Sequence, residues 1–170
     1  MRLELKLHPD CWCRAVERIE VQLVRAAAHE LELRYAVTGA VADIRLAPKE
    51  YPARADELWR TTCFEAFVAE ADGSYAEYNF APSTRWAIYH FDSYRAGMRS
   101  SGAAPRIEVN AEVNRFDLAT SIPVSQNAAR LALTAVIEET DGNKSYWSLR
   151  HPPGKPDFHH ADSFAYELKP

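Results

Sequence analysis

The chain has 170 residues, 47% of them hydrophobic and 26% charged, with a formal net charge of −4. That length suits one domain with its own apolar core and is too short for two. The composition excludes a disordered chain, and the acidic balance argues against the basic face of a nucleic-acid binder. No apolar run approaches the ~18 residues of a membrane-spanning helix. Met1–Lys6 alternates apolar and charged residues without a signal-peptide core, so the expected location is the cytoplasm. The three cysteines agree: Cys11 and Cys13 flank Trp12, Cys63 stands alone, and an odd count without framework spacing suits a reducing compartment. No second pair completes a metal site around Cys11 and Cys13.

Period-two alternation dominates the chain. Leu3, Leu5 and Leu7 alternate with charged residues up to Pro9, and Cys11 to Arg18 has room for one short helical turn. Ile19, Val21 and Leu23 form the next strand, then Leu31, Leu33, Tyr35 and Val37 up to Gly39. Ile44 and Leu46 make a short strand stopped by Pro48, and the charged, proline-bearing segment to Leu58 reads as a loop. Phe64 to Glu70 and Tyr75 to Phe80 form a hairpin across Asp72-Gly73, and Trp86 to Phe91 is a further strand. Met98 to Pro105 reads as a loop. Ile107 to Val113, Phe116 to Ile122, Leu131 to Ile137, Tyr146 to Leu149 and Phe164 to Leu168 complete the series. About eleven short strands at this spacing predict an all-β, two-sheet antiparallel β-sandwich of immunoglobulin-like or jelly-roll type. No repeat or linker divides the chain, so residues 1–170 form a single domain.

No Gly-x-Ser-x-Gly elbow, phosphate-binding loop, His-Glu-x-x-His or Gly-x-Gly-x-x-Gly motif occurs, and six glycines leave little with which to cradle a phosphate. The expectation is therefore not an enzyme. Two stretches carry polar chemistry among aromatics. The first runs from Leu58 through Trp59, Arg60 and Glu65 to Tyr78, Asn79, Trp86 and Tyr89. Glu65 interrupts an apolar strand, and a buried carboxylate needs a donor, with Arg60 and Asn79 the candidates. The aromatics either fill the core or offer faces on which a sugar ring packs, its hydroxyls meeting oriented donors and acceptors. The second stretch, Trp147 to His160, holds His151, Lys155, Asp157 and His159 on a proline-stiffened loop. It is either a rigid connection or part of a site. The spacing of His151, Asp157 and His159 matches no standard metal centre.

The same stretches resemble the bacterial DOMON-like family, which is related to DOMON domains and family nine carbohydrate-binding modules. The resemblance rests on Leu58-Trp59-Arg60-Thr61-Thr62-Cys63-Phe64-Glu65-Ala66-Phe67, on Tyr75-x-Glu77-Tyr78-Asn79-Phe80-Ala81-Pro82-Ser83 with Trp86-Ala87-x-Tyr89, and on Trp147-x-Leu149-x-His151-Pro152 with Lys155-Pro156-Asp157-Phe158-His159. It implies a sandwich that binds a sugar or haem and catalyses nothing. The leading expectation is a sugar or glycan-fragment site in which Trp59, Trp86, Trp147, Tyr78 and Tyr89 stack, Arg60 and Asn79 donate and Glu65 accepts. His151, Lys155 and Asp157 join the same candidate set. The alternative is a haem site using Met98 with His90 or His151, and a further alternative is a module that binds a protein partner.

Overall fold

Alternation of apolar and polar residues builds twelve β-strands in the computed structural model, which describes residues 1–100, 102 and 104–168. They are β1 (Arg2–Leu7), β2 (Val16–Ala27), β3 (Glu30–Gly39), β4 (Cys63–Glu70), β5 (Tyr75–Phe80), β6 (Trp86–Phe91), β7 (Arg99–Ser100), β8 (Ile107–Ala111), β9 (Arg115–Pro123), β10 (Ala128–Glu138), β11 (Lys144–Ser148) and β12 (Tyr166–Glu167). The helical pieces among the described residues are 3-10 turns at Val41–Asp43, Leu58–Arg60 and Ala161–Ser163. Ser101 and Ala103, within the predicted loop, and the last two residues of the predicted domain lie outside the described residues.

All strand pairings are antiparallel, and they run in the order β7-β6-β5-β4-β10-β11-β1-β2-β3-β9-β8, with β12 added beside β10. The all-β expectation holds, but two separate sheets do not: the strands form one continuous, curled sheet. Its turning point is β1. Arg2 to Leu5 pair with β2, whereas Lys6 and Leu7 pair with Ser148 and Trp147 of β11. One strand thus joins a first wing (β2, β3, β9, β8) to a second (β11, β10, β4, β5, β6, β7). Three local expectations also change. The stretch before Val16 forms no helix, Ile44 makes only an isolated bridge to Glu139, and β7 lies within the predicted loop.

The wings face each other across one core. Ile19, Val21, Leu33, Tyr35, Phe116 and Leu118 of the first pack on Phe64, Ala66, Tyr78, Phe80, Leu131 and Leu133 of the second. Phe64 sits between Tyr35 (ring centroids 5.2 Å apart) and Phe116 (5.7 Å, stacked). Two tyrosines tie the wings by hydrogen bonds, Tyr35 to the Glu65 carbonyl (2.7 Å) and Tyr78 to the Pro123 carbonyl (3.0 Å). Burying a phenol requires such a partner, so these bonds also fix how the wings align. At the end of β3 the chain passes so close to Ala15 that a Cβ on Gly39, at φ +147°, would lie 2.1 Å from the Ala15 carbonyl oxygen. Only glycine fits there.

The second wing is buried on both faces: every residue of β5 is buried, as are all of β6 except His90. A second apolar cluster of Phe67, Tyr75, Tyr89, Phe91, Val136, Phe158 and Phe164 covers its outer face. Double burial explains why β6 reads as a nearly unbroken apolar run.

Phe64→Ala removes the ring that both wings share. It should cost about 3–5 kcal/mol, or a melting temperature lower by roughly 6–20 °C in a domain of this size. Val113→Ala, at an exposed site, should stay within about 0.5 kcal/mol. Comparable losses in the two variants by thermal or denaturant unfolding would refute the shared-ring account.

Candidate functional site

The outer face of the second wing collects polar groups that alternate with core residues along each strand. Phe64, Ala66 and Val68 point inward, so Glu65 and Phe67 point outward; Tyr75, Glu77 and Asn79 do the same on β5, and Ala87, Tyr89 and Phe91 on β6. Register then makes two cross-strand rows. Thr134, Glu65, Asn79 and Ala87 lie side by side in one, and Ala132, Phe67, Glu77 and Tyr89 in the next.

A cavity of about 330 Å³ opens on these rows. Glu65, Glu77, Phe67 and Val136 form its floor, and Trp59, Tyr89, Tyr146, Phe158 and Pro156 its walls, with Arg95, Met98 and His159 also lining it. Trp59 meets Tyr89 edge to face (6.3 Å) and remains 41% exposed, so it stands at the rim. Tyr89 is held from outside the cavity: its hydroxyl donates to Asp56 Oδ1 (2.6 Å), and Arg54, paired with that carboxylate, lies 5.6 Å from the ring centre.

The C-terminal segment closes one side. Phe158 packs on Tyr146 and His159 sits edge-on to Phe67 and Phe91. The Arg95 amide donates to the Tyr75 hydroxyl oxygen (3.1 Å), and the same hydroxyl hydrogen-bonds His159 Nδ1 (2.8 Å). The other ring nitrogen, Nε2, lies 3.7 Å from Glu77 Oε2. Asp157 latches the neighbouring loop by accepting from Tyr94 (2.6 Å) and Arg95 (2.8 Å) and caps the His159 amide (3.1 Å). Burial pulls the Asp157 carboxyl up, but the Tyr94 hydroxyl and Arg95 outweigh it and hold it below the ordinary range.

The floor is electrostatically unusual. Burial, and then the charge of Glu77, push the Glu65 carboxyl up to about 8, against a smaller downward pull from the Thr134 hydroxyl that bonds it at 2.9 Å. Burial also raises Glu77, opposed by the Asn79 amide (2.8 Å) and by Arg95. Burial and Arg95 lower His159 to about 4, so it is neutral at pH 7. The site therefore holds two buried carboxyls whose ionisation burial disfavours, an environment typical of functional sites.

Of the residues expected from sequence, Trp59, Glu65 and Tyr89 line the cavity. Asn79 and Asp157 support it from behind, one through Glu77 and the other through Arg95. Tyr78, Trp86 and Trp147 are corrections. Each is one residue out of phase with an outward-facing neighbour, so each points to the inner face and away from this cavity; the Trp147 indole donates to Ser145 there. Arg60 is exposed and pairs with Glu57, and the donor that Glu65 finds is Thr134. Lys155 is exposed on its loop. His151 packs on His8 (4.8 Å) and bonds the Lys6 carbonyl. The haem pairing is not assembled: Met98 reaches the cavity, but His90 faces a groove with Tyr78 and Pro123, and His151 lies elsewhere. Among the described residues no three His, Cys, Asp or Glu side chains are placed to hold a metal ion. Sequence reading left Glu77, Tyr146 and Phe158 out of the candidate site, while it placed His159 on the proline-stiffened loop without assigning it a role. The signal for Glu77 was available, since it interrupts an apolar strand in the same phase as Glu65.

No family model matches the chain, and no curated protein matches it. Its structure is similar to the crystal structure of "a putative carbohydrate-binding protein" from Bacteroides uniformis, with a TM-score of 0.65 and 14% identity over 98% of this chain and 84% of that one. At that identity the likeness is one of fold.

The shifted groups make stability depend on pH. Glu65 has an ordinary value of 4.5 and a folded value of about 8, so the folded state holds the extra proton and its stabilisation is lost as pH rises through about 8. His159 acts oppositely but only below its ordinary 6.5. Between about pH 6.5 and 8.5 the carboxyl effect stands clear, so the melting temperature should fall across that window. Glu65→Gln should flatten the slope in a thermal-melt series; an unchanged slope would mean that Glu65 is ionised in the fold.

Proposed function

We propose that this protein is a non-catalytic binding module that holds a sugar or glycan fragment in the cavity on the outer face of its second wing. The observation that carries the reading is the juxtaposition of aromatic walls and a polar floor in a space of about 330 Å³. A pyranose ring is amphipathic: its C–H face packs on an indole or phenol, while its hydroxyls need fixed donors and acceptors. Trp59 and Tyr89 offer the stacking faces, Glu65 and Glu77 accept, and Arg95 and the neutral His159 donate or accept at the side. The carbohydrate-binding description of the structurally similar Bacteroides protein supports the same class of ligand. Affiliation with the DOMON-like family and a cytoplasmic location belong to this proposal.

A wider groove of about 590 Å³ on the first wing's outer face is one competing location. Its lining includes Glu30, Glu32, Arg34, Arg106 and Glu108 but no aromatic side chain. Without a stacking face it suits solvent and counter-ions better than a ring.

Trp59→Ala should weaken sugar binding at least tenfold, the loss of about 1.4 kcal/mol or more, while leaving the fold intact because Trp59 sits at the rim. Trp147→Ala should do the reverse, lowering the melting temperature while the folded fraction keeps its affinity. Calorimetric titration of both variants with mono- and oligosaccharides decides the matter; sugar binding that survives Trp59→Ala would place the ligand elsewhere.

A further inference from the structure

The cavity floor has a feature that the hydroxyls of a neutral sugar use only in part. Glu65 and Glu77 lie on adjacent antiparallel strands, two positions apart in register, since Glu65 faces Asn79 and Glu77 faces Phe67. Such diagonal neighbours sit about 7 Å apart at the backbone, close enough for their side chains to converge. Each carboxyl has one oxygen satisfied by the protein: Glu65 Oε2 by Thr134, and Glu77 Oε1 by Asn79. The other two oxygens have no close donor among the described residues, Glu77 Oε2 seeing only the His159 ring nitrogen at 3.7 Å. Glu65 is 2% exposed and Glu77 5% exposed, yet both line the cavity.

The positive groups around this pair are already committed. Arg95 is bonded to Asp157, Arg54 to Asp56, and His159 is neutral. Two buried carboxyls with open oxygens and no dedicated cation invite a cation from the ligand. An ammonium group has three N–H donors and can bridge both carboxylates, which a hydroxyl with one proton cannot. The aromatic faces of Trp59 and Tyr89 favour the same charge.

We propose that the cavity selects an amino sugar, its protonated amine seated between Glu65 and Glu77 and its ring against Trp59 and Tyr89. This rests on the sugar-binding reading and specifies its ligand class. The other charged or titratable groups facing the pair are Tyr35, Cys63, Tyr75, Tyr89, Arg95 and His159. None of them is an uncommitted cation. Seating a cation there ionises Glu65 and expels its proton, so binding below about pH 8 releases protons to the buffer.

The test is isothermal titration of the full chain with glucosamine, glucose, N-acetylglucosamine and benzylamine at about pH 6.5, where a simple sugar amine is charged. Glucosamine should bind at least about tenfold tighter than glucose or N-acetylglucosamine, with a binding enthalpy that changes with the buffer's ionisation enthalpy as protons are released. In Glu65→Gln, and separately in Glu77→Gln, that preference should fall to within about threefold. Both variants keep the shape of the site and remove an ionisable group, so an undiminished melting temperature certifies their fold. Equal affinity for glucose and glucosamine in the unmodified protein would overturn the amine proposal and leave the sugar reading standing. Binding of benzylamine but of no sugar would keep the carboxyl pair as an amine site and overturn the sugar reading. Absence of binding by all four would overturn both.

Discussion

A strand sends successive side chains to opposite faces, and here β4, β5 and β6 have both faces covered. Each of these strands therefore satisfies two environments at once. The inner face must be apolar to close the core against the first wing, while the outer face is free to hold Glu65, Glu77 and Asn79. Register converts that alternation into a site, because hydrogen bonding between neighbouring strands lines up the outward residues of each. Slipping β5 by one residue would send Glu77 into the core and Tyr78 into the cavity. The Tyr78 bond to the Pro123 carbonyl and the Tyr35 bond to the Glu65 carbonyl guard against that slip.

The electrostatics of the site follow from the same packing. Phe158 and Phe164 cover the outer face because it carries Phe67, Tyr75 and Phe91 as well as the carboxyls. That cover removes water from Glu65 and Glu77, and two like charges in a dry site cannot both ionise easily. The result is a floor whose charge state is set by what enters it. Such a site discriminates by charge as well as by shape, since an occupant that supplies no cation leaves the acid protonated and an occupant that supplies one does not.

The fold class was legible in the sequence because period-two alternation is a local signal, and the strands from Leu31, Phe64, Tyr75, Trp86, Phe116 and Leu131 all form where alternation places them. The curl was not legible. It depends on β1 dividing its hydrogen bonds between β2 and β11, and nothing in Leu3, Leu5 and Leu7 distinguishes a strand with two partners from one with a single partner. The site was legible in part, for a similar reason. Aromatic residues cluster along the sequence, but the pleat sorts them by phase, so Trp86 and Tyr89, three residues apart, serve opposite faces. His159 reaches Tyr75 across 84 positions of chain, a contact that no local pattern announces.

The latch at Asp157 differs in kind from the walls around it. Phe158 and Tyr146 are held largely by packing, which salt scarcely alters, whereas the loop bearing Tyr94 and Arg95 is held to Asp157 by an ion pair whose arginine is half-exposed. Ionic screening acts on the second and not on the first. Rising ionic strength therefore weakens the Asp157 latch, as it does the Arg54–Asp56 pair behind Tyr89, while the apolar walls stay as they are.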